Sequence, residues 1–384
     1  MNVRVDAYPG KLSGGSFAVM PKPKSRKLVI FFSGTGKSDG KFDFWQVGRR
    51  IEENLLFVNN GRNEWYQRGV PGLGNSIEET AEKMKQWAEA LRAEEVFMIG
   101  ASMGGYGAAL FGSLIGAKVM AFGIDTILKL PTSRSGKQMP KDLAVVHPDL
   151  VPIIRQHNTP IRLYVGEMDP MDIVGAARLT DLPSVQIETV RGVDHKCARF
   201  FLDNIGLYET MTAFIEGKQG PEIRERGNVV KHPQLVAAIH AAHLASTAGK
   251  WAEAVKEAKT AIEIDPYSEI AHFMLGKALI KLKKYGQAVR HLSFVAANVP
   301  DFEDGQFFYS HALRFDGHPD RAMHLLYKHV RRWPDSARAW YNIAKIYEDR
   351  GDRAGALSAM ESAVGIEPND PVYREKLEEM RNVL

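Results

Sequence analysis

Ser102 is the residue whose surroundings look most prepared for chemistry. It lies in Gly100-Ala101-Ser102-Met103-Gly104, a Gly-x-Ser-x-Gly pattern between the apolar run Val96-Phe97-Met98-Ile99 and a small-residue helical pattern from Ala108 to Leu114. A strand, a sharp turn and a helix are the expected local structure, with glycines removing bulk on both sides of the turn. The hydroxyl would project above the sheet edge. The Met103 N–H, at the start of a helix, would face the place where negative charge develops during attack on a carbonyl.

A serine hydroxyl is a weak nucleophile, so a base and an orienting carboxylate are required. His195 is the candidate base. It ends the Gly-containing loop Arg191-Gly192-Val193-Asp194 after the last strand pattern, whereas His147 and His157 fall in an insertion between strands. For the acid, Gly166-Glu167-Met168-Asp169-Pro170-Met171-Asp172 follows another strand pattern. Asp169 is preferred because it is closer to the turn, with Asp172 as the fallback; Asp169 could equally serve an Asp-Pro turn, and Asp172 could cap a helix. Cys197 has no activating neighbours and reads as a packed small residue.

These residues need elements to hold them. Strand patterns occur at Val3 to Ala7, Ser16 to Met20, Lys27 to Phe32, Leu55 to Val58, Lys118 to Ile124, Ile161 to Val165 and Val185 to Val190, besides the run before Ser102. Helical patterns fall at 42–53 and from Ile77 to Arg92, the latter capped by Asn75 or Ser76. Such alternation implies a mainly parallel sheet covered by helices on both faces. Ser33-Gly34-Thr35-Gly36-Lys37-Ser38 imitates a phosphate-binding loop, but Phe31 stands where its first glycine should be and Gly40 breaks the following helix.

Taken together, residues 1 to about 218 resemble the α/β-hydrolase-fold serine enzymes. The resemblance implies a triad of Ser102, Asp169 and His195. It also implies an oxyanion hole built from the Met103 N–H and that of Gly34 or Thr35, in the loop after the third strand. Phe32-Ser33-Gly34 replaces the His-Gly of many esterases. Trp65-Tyr66 with Gly69-Val70-Pro71-Gly72, together with the Ser102 segment through Tyr106, is also similar to O-acetyltransferases of bacterial surface glycans with this fold. Because the segment from Arg62 to Gly72 joins a strand to the helix before Ser102 and sets aromatics beside Arg, Trp65, Tyr66 and Arg68 are candidate contacts for a sugar or an acidic group, with packing over the sheet edge as the equal alternative. The insertion at about 125–160 is the candidate lid; its Arg134, Lys137 and Lys141 could receive an anionic substrate.

From about residue 230 the pattern becomes continuously helical. Ala254, Ala288, Ala322 and Ala356 recur every 34 residues, as do Pro266, Pro300, Pro334 and Pro368; Gly276, Ser310 and Ala344 form a third series. This is the tetratricopeptide period. It predicts repeats at 235–268, 269–302, 303–336 and 337–370, then a capping helix at 371–384. The domain runs from 232 to 384, with 219–231 as linker. Phe273, Lys277, Phe307, His311, Arg314, Tyr341 and Lys345 would line the groove formed by the first helices of the repeats, suited to a peptide or acidic partner. Ile239 and His243 replace the Lys and Asn of carboxylate-clamp members.

The 384 residues carry a net charge of +4 without a basic domain, which argues against nucleic-acid binding. One cysteine excludes an intramolecular disulfide framework and fits a reducing compartment. With neither a signal-peptide pattern at the start nor an apolar run of membrane-spanning length, the expected location is cytoplasmic. No cofactor or metal is expected. The expected function is ester hydrolysis through an acyl-enzyme, with the repeats binding a partner or a second copy. Acyl or acetyl transfer to a glycan hydroxyl and a non-catalytic scaffold are the alternatives.

Overall fold

The computed structural model describes residues 12–382. The chain divides into two compact units, one ending at His240 and the other beginning at Ala241.

The first unit is built on an eight-stranded sheet among the described residues. In sequence its strands are β1 (Leu12–Gly14), β2 (Phe17–Met20), β3 (Lys27–Phe32), β4 (Asn54–Val58), β5 (Glu95–Ala101), β6 (Lys118–Phe122), β7 (Ile161–Gly166) and β8 (Val185–Val190). Their spatial order is β1-β2-β4-β3-β5-β6-β7-β8, with β2 antiparallel to both neighbours and all later pairs parallel. The strand expected over Val3 to Ala7 lies outside the described residues. β3, β4, β5 and β6 are nearly continuous apolar runs because helices cover both faces of the central strands.

The helices of this unit are α1 (Trp45–Gly48), α2 (Ile77–Ala90), α3 (Met103–Ile115), α4 (Arg134–Gln138), α5 (Leu150–His157), α6 (Pro170–Ala177), α7 (Cys197–Phe200) and α8 (Leu207–Ile215). Ser76 caps α2 by accepting the Glu79 N–H, and the Glu79 carboxylate returns to the Asn75 N–H at 2.8 Å, in the manner of a capping box. The helix expected over 42–53 shrinks to α1. Phe44 enters it at φ 59°, and the apolar spacing serves an aromatic cluster in which Phe42, Phe44 and Trp45 pack on Phe31 and Phe57. The phosphate-loop look-alike opens no helix, as Gly40 implied; Lys37 instead pairs with Asp43 at 2.7 Å.

Two boundaries differ from expectation. Within the proposed lid, α5 is the crossover helix between β6 and β7 and packs on α3, so only the part through Asp149, which contains the short α4, is an insertion between sheet elements. The proposed linker is partly structural. Arg226 bridges Val190, the Arg191 N–H donates to Glu225 O at 2.7 Å, and the Gly227 N–H donates to Thr189 O at 2.8 Å. Buried Glu167 completes the strap, accepting from Thr189 Oγ1 at 2.7 Å and from the Val229 N–H at 2.8 Å.

Beyond the 3₁₀ turn Val229–Lys231 the chain is helical: α9 (Pro233–Thr247), α10 (Trp251–Ile264), α11 (Glu269–Lys281), α12 (Tyr285–Asn298), α13 (Glu303–Phe315), α14 (Pro319–Arg332), α15 (Ala337–Asp349), α16 (Arg353–Ile366) and α17 (Pro371–Asn382). From α10 onward, helix starts recur at the 34-residue period. The small residues do the work expected of them: Ala254, Ala288, Ala322 and Ala356 are buried, and a Cβ on Gly276 would lie 2.4 Å from Leu292 of the paired helix. Among the described residues no helix is long and apolar enough to cross a membrane.

One tight junction in the first unit is the turn from β5 to α3. A Cβ on Gly100 would lie 2.2 Å from Gly104 O, and one on Gly104 would lie 2.2 Å from Phe32 O. Both contacts are with backbone, so neither neighbour has a rotamer with which to yield. Gly104→Ala should therefore cost about 1–3 kcal/mol of unfolding free energy, the scale of overpacking. A lowered thermal midpoint, with Gly220→Ala, where a Cβ would meet nothing within 4 Å, as the control, would check this.

Candidate active site

The turn places Ser102 at φ 55°, ψ −123°, a conformation that costs a non-glycine residue about 1–3 kcal/mol and must be held by its surroundings. The restraints are the Ser102 N–H, shared between Phe122 O and Gly123 O at 2.9 Å each, and the start of α3 immediately after it. Ser102 and His195 line one open cavity of about 1100 Å³, together with Arg134 and an aromatic wall of Phe42, Phe44 and Trp45.

The carboxylate on His195 belongs to Asp172, the fallback of the sequence reading. Its Oδ2 is 2.7 Å from His195 Nδ1, and its side chain is fully buried. Asp169, the preferred acid, is spent elsewhere. Its Oδ1 accepts the N–H groups of Met171 and Asp172 at 3.0 Å each as the cap of α6, and its Oδ2 takes the Arg134 guanidinium at 2.6 Å. Pro170 at the first helical position is the signal: an Asp immediately before it is poised to cap. One turn into α6, Asp172 is left facing the histidine. The site leaves little space there, since a Cβ on Gly123 would lie 2.5 Å from Asp172 Oδ2 and 3.1 Å from His195 Nδ1.

Arg134 also approaches Asp172, at 3.5 Å, so one cation from the insertion faces two carboxylates. Burial alone would raise the Asp169 pKa, but the Arg134 charge and hydrogen bond outweigh it and hold Asp169 below the usual carboxylate range. Burial and then the Asp169 charge push Asp172 upward. For His195, burial favours the neutral ring; the Asp172 charge and hydrogen bond more than offset this and hold its pKa above the ordinary value. Asp169, Asp172 and His195 offer ligand atoms within 4.8 Å of one another, a spacing a cation could use, but the Arg134 guanidinium already lies against both carboxylates. Burial pushes the Cys197 thiol far up, as suits a packed residue.

Of the two oxyanion donors expected in the loop after β3, the Gly34 N–H is committed to Asp43 Oδ2 at 2.8 Å. The Thr35 N–H has no partner among the described residues, and Gly34 and Thr35 both line the cavity. Trp65 and Tyr66 are buried and do not line it; Tyr66 instead supports the loop from beneath, its hydroxyl donating to Ser33 O at 2.7 Å. Arg68 pairs with Glu64 away from the cavity. Lys137 and Lys141 are exposed and do not line it either, so Arg134 alone of the insertion's three candidate cations does. Phe42, Phe44 and Trp45 are not among the expected site residues; their signal in the sequence is three aromatics within four residues just after the loop that bears Gly34 and Thr35.

In the second unit the candidate groove residues are largely engaged with neighbouring side chains. Phe273 and Phe307 are buried, with Lys277 5.1 Å above the Phe273 ring and Arg338 4.3 Å above that of Phe307. His311 bonds Asn342 Oδ1 at 3.1 Å, Arg314 pairs with Asp349 at 3.0 Å, Tyr341 packs on Tyr373, and Lys345 pairs with Glu348. The expected basic and aromatic mixture is present, but the two phenylalanines lie beneath the cations.

Residues 310–371 match the tetratricopeptide repeat family. Solved structures similar to the chain include a MamA protein (16% identity, 39% of this chain and 81% of that one, TM-score 0.36). YrrB, described as a tetratricopeptide-repeat protein with an unusual peptide-binding site, is another (20%, 39% and 77%, 0.36). A thermophilic tetratricopeptide-repeat protein of Thermus thermophilus, TTC0263, is a third (18%, 39% and 83%, 0.35). No curated protein matches the chain. The chain thus carries a C-terminal tetratricopeptide-repeat region, a kind of module that presents surfaces to partners, after an N-terminal mixed sheet with helices.

The two aspartates are separable by substitution. Asp172→Asn should lower any Ser102-dependent turnover by about 10⁴, the scale seen when a triad histidine loses its orienting carboxylate. Asp169→Asn keeps a capping oxygen and should lose far less. The base must be neutral to act, so turnover should rise with pH through a midpoint above about 6.5, the ordinary histidine value. In Arg134→Gln, which removes a positive charge opposing His195 protonation, that midpoint should move further up. Initial-rate pH profiles of the three variants would test both statements.

Proposed function

We propose that the first unit is a serine hydrolase of the α/β-hydrolase fold, esterase-like, and that the repeats bind a protein or peptide partner or a second copy of the chain. The carrying observation is that Asp172 and His195, from the segments that follow strands β7 and β8, meet at 2.7 Å beside a cavity that His195 shares with the strained Ser102 turn. Serine, acid and histidine also occur in that fold's chain order.

In this reading Ser102 Oγ attacks the ester carbonyl while His195 Nε2 takes its proton. Asp172 holds the Nδ1–H and steadies the imidazolium. The Met103 N–H, with that of Thr35, receives the oxyanion. The C–O bond then breaks, the alcohol leaves with the histidine's proton, and water repeats the sequence on the acyl-enzyme to release the acid. The single free thiol is compatible with a cytoplasmic location.

Transfer to a sugar hydroxyl is the second reading, with the acceptor replacing water in the last step. Trp65 and Tyr66 no longer support it because they are buried; half-buried Phe42 and Trp45 along the cavity do, since sugars stack on such rings. A fluorophosphonate probe should label the wild type, and Ser102→Ala should abolish labelling. An unlabelled, folded wild type would leave the scaffold reading. If labelled, turnover of an acetyl ester with and without added glycan decides between water and sugar: a rate independent of glycan supports the hydrolase.

A further inference from the structure

We propose that the cavity above Ser102 selects esters that carry an anionic group, held by Lys41 and Lys196, with the hydrocarbon part against the aromatic wall. This substrate class rests on the serine-hydrolase reading for its chemistry, but the binding claim stands on the cavity itself.

Five cationic side chains line the cavity: Lys37, Lys41, Arg134, Lys196 and Arg199. Three already have carboxylates. Lys37 is 2.7 Å from Asp43, Arg134 faces Asp169 and Asp172, and Arg199 is 2.6 Å from Asp203. The Lys41 and Lys196 side chains have no carboxylate partner among the described residues, the Asp194 carboxylate accepting the Lys196 backbone N–H at 2.8 Å, and both are exposed, so their ammonium groups keep their hydration until a ligand arrives. They come from different segments, the loop between β3 and α1 and the residue next to His195. A ligand reaching Ser102 therefore enters a space to which both contribute charge. The other three cations face four carboxylates, Asp43, Asp169, Asp172 and Asp203, so Lys41 and Lys196 are the cations left to meet a ligand anion, and Coulomb attraction at a partly dry surface exceeds that in bulk water.

The rest of the lining supplies the second half of the recognition. Phe42, Phe44 and Trp45 are half-buried, and Leu202, 45% exposed, adds an aliphatic surface. An exposed leucine among aromatics in a concave site favours burial of hydrocarbon. A neutral polar ester would use the wall and leave the lysines idle; a small inorganic anion would do the reverse. An amphiphilic anionic ester uses both.

The probes are 4-phenylbutyrate and its neutral isostere 4-phenylbutyramide, titrated calorimetrically into the full-length protein carrying Ser102→Ala. The carboxylate should bind about tenfold or more tightly than the amide at low salt, and most of that preference should vanish at about 0.5 M salt. It should also be lost in Lys41→Glu/Lys196→Glu and reduced in Lys41→Gln/Lys196→Gln, a milder change that guards against misfolding. Equal affinity for the two probes, no binding of the carboxylate, or a preference that survives both double variants overturns the proposal. Fluorophosphonate labelling of the wild type separates the two readings. Labelling without anion preference leaves the hydrolase and removes this substrate class; anion preference without labelling keeps the anion pocket and removes the serine chemistry.

Discussion

The close approach of Gly104 to the end of β3 is the constraint on which the candidate site depends. Because α3 touches the Phe32 carbonyl with no side chain between, the serine turn and the loop bearing Gly34 and Thr35 are fixed to each other by backbone. A nucleophile and its oxyanion donors must agree within a fraction of an ångström, and side-chain packing alone tolerates more slack than that. Tyr66 adds a second support by fixing Ser33 O from below. The same region carries the energetic cost, since the Ser102 dihedrals are tolerable only in a turn restrained on both sides.

The charge arrangement follows from similar economy. Asp169 and Asp172 are three residues apart at the start of one short helix, and two buried carboxylates so close repel each other unless a cation intervenes. Arg134 is that cation, and it opens α4 in the insertion, so folding of the insertion and ionisation of the candidate triad are linked. The expectation that Arg134 would receive a substrate anion thus meets a competing demand. The cations left for a ligand are the ones with no carboxylate of their own.

Ser102 and His195 are legible in the sequence because each sits in a short segment with a distinctive glycine next to a strand pattern. The carboxylate that meets His195 lies one helical turn beyond the preferred Asp169, since both aspartates follow the same strand and only the side-chain direction tells them apart. Pro170 is the residue that separates them, because a proline at the first helical position marks the residue before it as a cap. Trp65 and Tyr66 mislead for another reason: a loop between a strand and a helix is expected at the surface, yet both rings turn inward on residues with positive φ, 47° and 60°. The repeat half is easily read because the same small residues recur at the same positions, so each repeat confirms the next. What recurrence does not reveal is which lining residues pair among themselves.

The strap along β8 has a consequence for assembly. A parallel sheet that ends in an open strand offers a row of N–H and C=O groups to any other chain. Here residues 225–227 already satisfy part of that row, and Glu167 anchors the segment from within. This edge is therefore poorly suited to growing a continuous sheet across two molecules, and a second copy recruited on this side would have to be recognised through side chains rather than through backbone pairing.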